Sequence, residues 1–359
     1  MTTRRSDRCQ RALALAGSGH GALLLSRLED VRWCSGFTGS NGWLVITEDT
    51  VTLLTDGRYM DQARSEMPDE FAILECRSVE SMAEAVGRVA AHGPVAIQEN
   101  EMAVATWRRL GVTIGERLSC AASDLADLRR TKEPDEIETI RRAARIADEA
   151  LRTCIGLLRP GSSERSVRDA LESTMRALGA DGPSYDTIVA SGPSNSARPH
   201  HSPGDRVFRP GDSVVIDVGA LVDGYHSDMT RTYFIDEPDS EMSRWYETLR
   251  RAQERAVSLV TPGRAVRDID ASCREILADA GLAQWFTHGL GHGVGLMIHE
   301  NPFINGTSEA ILRPGDVVTI EPGLYRGGFG GMRIEDLILV TETSHENLTS
   351  SPKDPTCPR

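Results

Sequence analysis

One twelve-residue pattern occurs twice in this chain, and each copy places an acid inside an apolar run. Residues 209–220 read RPGDSVVIDVGA and residues 313–324 read RPGDVVTIEPGL; seven of the twelve positions are identical, and Asp217 falls on Glu321. Each copy is followed by a second acid, Asp228 eleven residues after Asp217 and Glu335 fourteen after Glu321. Pro-Gly-Asp is turn chemistry, and a turn leading into a β-branched run predicts a strand. That alone leaves the acids unexplained, because Asp is depleted in strands and seldom buried without a partner. Two related half-units, each presenting an acid pair, predict one site assembled across a pseudo-two-fold axis. Four carboxylates gathered together repel and resist being ionised at once. Divalent cations are the usual remedy, so the repeat points to a metal site.

The first pair can be placed more closely. Asp223-Gly224 is a two-residue hairpin signal. With those two residues as the loop, 219 lies opposite 228 and 217 opposite 230. Residues 217 and 219 share a face because side chains alternate with period two. Asp217 and Asp228 then become diagonal neighbours, with Cβ atoms roughly 7 to 8 Å apart at most. That separation suits two cations about 3.5 to 4 Å apart.

Bulk properties narrow the function. At 359 residues the chain is long enough for two domains. A formal net charge of -13 argues against nucleic acid or an anionic membrane as partner. The longest apolar stretches, such as residues 22–25, are too short to span a bilayer, and the basic N-terminus has no apolar segment behind it. Seven scattered cysteines without a CxxC pair fit a reducing, cytoplasmic setting and offer no zinc-ribbon spacing.

Along the chain, residues 43–47 and 51–55 read as a hairpin, preceded by the loop GFTGSNG. A boundary is expected in the charged, proline-bearing stretch 124–133, dividing an N-terminal domain, 1–125, from a C-terminal domain, 126–359. Pro134 suits the first turn of a helix whose apolar residues recur at helical spacing from Ile137 to Leu158. Ser162 or Ser163 caps a second helix, ending near Leu178. A strand-rich stretch follows, then helices over about 241–259 and 266–280, then a second strand-rich stretch. The order helix, helix, sheet, stated twice, agrees with the repeat.

The segment THGLGHGVGLMIHENP, residues 287–302, carries His288, His292 and His299 among four glycines, and six of the nine histidines fall between residues 200 and 299. Neither its spacing nor a preceding strand suits a nucleotide-binding glycine loop, and it lacks H-E-x-x-H.

Taken together, DVGALVDGYHSDMTRTYFI, GHGVGLMIHENP, TIEPGLY and GMRIEDLILV resemble the successive motifs of the pita-bread metallopeptidases, in the branch of Xaa-Pro aminopeptidases and Xaa-Pro dipeptidases (prolidases). GFTGSNGWLVITEDTVTLLTDGRYMDQA is similar to that family's N-terminal domain and LRRTKEPDEIETI to its interdomain helix. The resemblance implies an α+β chain: a pita-bread domain with an internal pseudo-two-fold repeat, behind a smaller α/β domain of ribonuclease H-like type. It implies five ligands. Asp217 would chelate one cation, Asp228 and Glu335 would bridge both, and His292 and Glu321 would complete the set around the second cation. Four carboxylates and one imidazole suit Mn(II), with Co(II), Fe(II) or Zn(II) as substitutes. Glu321 would also move the proton, and His299 would face the scissile carbonyl. His200 would face the substrate, with His201 as the adjacent alternative, and His288 and Arg333 would line the pocket. The implied activity is hydrolysis of the Xaa-Pro bond in short peptides by a homodimer, using water activated by the cation pair. Dipeptidase and aminopeptidase both remain open; Arg333 is the candidate cation for a dipeptide's carboxylate. A relative acting on a non-prolyl amide, or a non-catalytic binding protein on the same fold, are the alternatives. A metal-free creatinase-like hydrolase is disfavoured because all five ligand positions are filled.

Overall fold

A computed structural model describes residues 4–17, 19–98, 102–121 and 126–357. The chain divides into two compact units, Met1–Arg129 and Arg130–Arg359.

The first unit is built on a six-stranded sheet, in the order Ala72–Glu75, Val51–Thr55, Trp43–Thr47, Ala22–Leu25, Val95–Gln98, Leu118–Ala121. The expected hairpin is present, with Trp43 opposite Leu54 and Ile46 opposite Val51. It pairs antiparallel with Ala22–Leu25, while the outer pairings are parallel. Ala22–Leu25 is a continuous apolar run with every residue buried, as expected of a central strand covered on both faces. Met82, Val86 and Leu110 from two helices pack onto Leu24, Val45 and Ile97.

The second unit opens with the helix Pro134–Cys154, which has proline in its first turn and reciprocal Glu133/Glu136 capping. The α-helix stops at Cys154 and a 3-10 turn, Ile155–Leu157, completes the predicted span. Ser163 caps the next helix, Glu164–Ala177, by accepting from the Ser166 amide; such a cap stabilises by about 1 kcal/mol. Helices Ser240–Ser258 and Val266–Asp279 follow where the periodicity places them. The first helix pair packs on the strands Ser213–Asp217 and Thr230–Phe234 through Ile146, Leu171, Val214 and Ile216. The second pair packs on Val317–Ile320 and Asp336–Val340 through Leu249, Ile269, Val318 and Ile338. Each half is therefore a helix pair laid over an antiparallel strand pair.

The two turns that begin the repeat are alike in detail. Gly211 and Gly315 adopt φ of 85° and 86°, which costs glycine little. Asp212 accepts from the Arg209 amide and Asp316 from the Arg313 amide, both at 2.8 Å. Each aspartate is also held by an arginine, Asp212 by Arg206 and Asp316 by Arg130.

Candidate metal centre and substrate cavity

The hairpin register is the predicted one. Leu221 lies opposite His226, Val222 opposite Tyr225 and Asp217 opposite Thr230, so the loop is Asp223-Gly224, both with positive φ. In the second half, Ile320 lies opposite Asp336, and the same register carried one step further sets Glu321 against Glu335. The halves are joined at this point: the Glu335 amide donates to the Thr230 carbonyl at 3.1 Å, and the Thr230 hydroxyl donates to Glu335 Oε2 at 2.7 Å.

The glycine-rich segment supplies the histidine from a strand, Gly291–Gly293, laid between Glu300–Ile304 and Val317–Ile320. A Cβ on Gly291 would sit 2.0 Å from the Thr319 carbonyl oxygen, and one on Gly293 would sit 2.3 Å from that of Asn301. Only glycine lets this strand come so close, and the approach pushes the His292 ring into the acids. His292 Nδ1 is 3.0 Å from the Gly293 carbonyl. A carbonyl can only accept, so Nδ1 carries the hydrogen and Nε2 faces Glu321 Oε1 at 3.3 Å and Asp228 Oδ2 at 3.6 Å.

Asp217, Asp228, His292, Glu321 and Glu335 all line one cavity of about 620 Å³, a volume in the range of small-molecule sites. Ligand atoms of Asp228, His292 and Glu335 lie within 4.8 Å of one another, and all three residues are buried. Burial, and then the neighbouring acids, push the Asp228 and Glu335 pKa values well above the carboxylate range. Glu321 is also buried, but the His292 imidazole more than reverses the effect and holds it below its usual value. Burial would lower His292; the Glu321 carboxylate outweighs it and raises it.

Sequence reasoning missed one member of this group, Tyr185. Its hydroxyl contacts both Asp217 Oδ1 and Asp228 Oδ1, the latter at 2.5 Å. The phenol shares its one proton between the two carboxylates. Burial, then Asp217 and Asp228, raise the Tyr185 pKa well above normal, so the phenol stays protonated. A site whose acids need borrowed protons for company fits divalent cations, and its donor set of carboxylates and one imidazole is hard.

Arg333 and His201 stand differently towards the cavity. Arg333 lines the cavity, but it is only 3% exposed. Its N–H groups donate to Asp217 Oδ2 at 2.6 Å, Tyr325 Oη at 2.7 Å, and Thr230 Oγ1 and the Pro199 carbonyl at 3.0 Å each. It is a structural cation beside Asp217, held in place by these four acceptors. His201 is turned away from the cavity; its Nε2 lies 2.9 Å from Glu164 Oε2. The adjacent residue, His200, is the one that lines the cavity.

His288 and His299 also line the cavity. Burial lowers both pKa values, and for His299 the nearby His292 adds to the effect. The His292 and His299 rings are 4.4 Å apart, edge to face. His288 donates from Nδ1 to the Gly289 carbonyl, and its Nε2 is buried without a hydrogen-bond partner among the described residues. Ile188, Ile298 and Phe303 give the cavity an apolar wall.

Residues 138–342 match metallopeptidase family M24, and residues 5–131 match the creatinase/prolidase N-terminal domain. The chain belongs to metallopeptidase family M24. It is 34% identical over 335 residues to a Xaa-Pro dipeptidase of Pyrococcus horikoshii, covering 93% of both chains. Among solved structures it resembles a Xaa-Pro dipeptidase from Bacillus anthracis, with TM-score 0.92, 33% identity and 99% of both chains covered. It also resembles an X-Pro aminopeptidase from Thermotoga maritima, with TM-score 0.86, 33% identity, and 97% and 99% covered. The M24 family implies divalent metal ions and a peptide substrate, and the pita-bread and creatinase-type domains account for the α+β content. Among the described residues no helix is long and apolar enough to cross a membrane.

Proposed function

We propose that this chain cleaves the bond between an N-terminal residue and proline in short peptides. The observation that carries the reading is the convergence of Asp217, Asp228, His292, Glu321 and Glu335, from both halves of the repeat, on the floor of one cavity with an apolar wall. Asp217 would hold one cation, Asp228 and Glu335 would bridge two, and His292 Nε2 with Glu321 would complete the second. Bound cations, with Mn(II) as the leading candidate, would supply Lewis acidity and make water acidic enough to attack at neutral pH.

The remaining chemistry belongs to the chain. Glu321, ionised at neutral pH, takes the proton of the attacking water and returns it to the proline nitrogen as the C–N bond breaks. His299 is neutral at pH 7 and offers one N–H to the oxygen of the scissile carbonyl as charge develops there. His200, which also lines the cavity, meets the substrate. The proline nitrogen has no hydrogen to donate, and the wall of Ile188, Ile298 and Phe303 takes the ring instead. The working form in this reading is a cytoplasmic homodimer.

The test is hydrolysis of Ala-Pro and Ala-Pro-Ala with Mn(II) or Co(II) present. Both relatives' activities have precedent in the fold, and the ratio of the two rates decides between dipeptidase and aminopeptidase. Cleavage of neither peptide, with cations demonstrably bound, removes the prolyl reading and favours the non-prolyl amide.

A further inference from the structure

Outside the candidate metal ligands, one acid is heavily hydrogen-bonded: Glu164. It opens the helix Glu164–Ala177 and its side chain is 0% exposed. Oε1 accepts from the Ser191 amide at 2.8 Å, the Ser191 hydroxyl at 2.7 Å and Asn195 Nδ2 at 2.9 Å. Oε2 accepts from His201 Nε2 at 2.9 Å and the Gly204 amide at 3.2 Å. Burial alone would raise its pKa, but the donors from Asn195, Ser191, His201 and Gly204 outweigh burial and hold it below the usual carboxylate range. It is therefore an ionised, desolvated carboxylate with five donors.

Those donors all belong to residues 191–204, including both ends of that stretch. The loop is closed around one carboxylate. Within it, Pro199 and His200 line the cavity. The far side of the same loop is tied by Arg333, which donates to the Pro199 carbonyl at 3.0 Å. His200 makes no hydrogen bond of its own among those described, so its position is set by the bonds of its neighbours. Nothing about Glu164 touches the cavity.

We infer that Glu164 is a positioning residue for His200: it fixes the loop that presents that imidazole to the substrate, and acts on the reaction only through it. The inference rests on the proposed role of His200. Glu164→Gln keeps the volume but converts one acceptor oxygen into a donor. Whichever way the amide turns, its nitrogen meets a backbone N–H that cannot accept, Ser191 on one side or Gly204 on the other, and that bond of the clamp is lost. A loop displaced by about 1 Å is enough to lower turnover on the order of 10²-fold.

The experiment is a double-mutant cycle with His200→Ala, read on an Xaa-Pro peptide in the metal-loaded enzyme. E164Q should lower kcat/KM by about 10²-fold with metal content unchanged, and should add no further loss in the H200A background. Multiplying losses, or loss of metal in E164Q, would mean a general structural role and overturn the inference. A second readout is independent of activity: the His200 ring signal in Zn(II)-loaded protein carrying isotope-labelled histidine should shift in E164Q. An unmoved signal overturns the inference. If E164Q does not fold, His201→Phe removes one donor and leaves Glu164 in place. It should cost about tenfold in kcat/KM, again only when His200 is present; no change in rate or in the His200 signal overturns the inference. A wild-type enzyme inert towards Xaa-Pro peptides would sink the proposed function, and the ring signal would then decide the inference alone.

Discussion

At the scale of single residues, two neighbouring imidazoles are assigned to different work. His292 is locked by its Nδ1 bond to the Gly293 carbonyl and turns Nε2 into the acids. His299 is exposed and lines the cavity, with no hydrogen bond to a carboxylate among the described residues. His292→Ala should therefore lose metal and rate together. His299→Ala should keep both cations while kcat falls by roughly 10² to 10³, the scale for one oxyanion donor, with KM little changed. Metal analysis and steady-state kinetics separate them; equal metal loss in both variants would show that the roles are divided wrongly. The acids were legible because the repeat marks them, and His292 because of the glycine-rich, histidine-bearing segment that resembles the family motif. Tyr185 and Glu164 were not. Their partners lie 32 and 43 residues away for Tyr185, and up to 40 for Glu164, and no spacing rule reaches that far. The His200–His201 ambiguity has a similar cause: adjacent residues are equal in sequence, and only the buried acceptor on one side tells them apart.

At the scale of elements, turn chemistry and helical period carried most of the information. Asp223-Gly224 set the hairpin register correctly because its φ values of 46° and 70° are those a two-residue loop needs. Gly224→Val forces a β-branched residue into that region, at a cost of about 1–3 kcal/mol. The denaturation midpoint should fall, while metal stoichiometry stays the same, because five consecutive pairs from Thr230–Asp217 to Phe234–Ser213 pin the register. An unaltered midpoint would show that the loop does not need this conformation. The strand Gly291–Gly293 was hidden for the opposite reason. Glycine is depleted in strands, and these glycines are there to avoid backbone from Thr319 and Asn301, a collision that exists only once the sheet is assembled.

At the scale of the whole molecule, the twofold order of helices and strands was readable because the duplication is written at every level, from the PGD turns to the helix pairs. The centre it builds carries repelling acids, so the second unit should gain stability on metal binding. At a free cation concentration 1,000 times Kd the gain is about 4 kcal/mol, on the order of 10 °C in Tm for a domain of this size. Calorimetry of chelated and Mn(II)-loaded protein measures it. At neutral pH Asp228→Asn should melt higher than chelated wild type, since folding no longer has to protonate a buried acid, and should respond little to Mn(II). A large Mn(II) response in that variant would remove Asp228 from the shell.

The division of ligands has a consequence for the life of the chain during synthesis. Asp217 and Asp228 emerge about a hundred residues before Glu321 and Glu335, and the bond from the Glu335 amide to the Thr230 carbonyl forms only when the second hairpin docks on the first. A nascent or truncated chain therefore exposes two aspartates and no cage. It has little means of capturing an ion early, and nothing to gain from the wrong one. On the proposed ligand set, a bound ion would report that both halves are present and correctly joined.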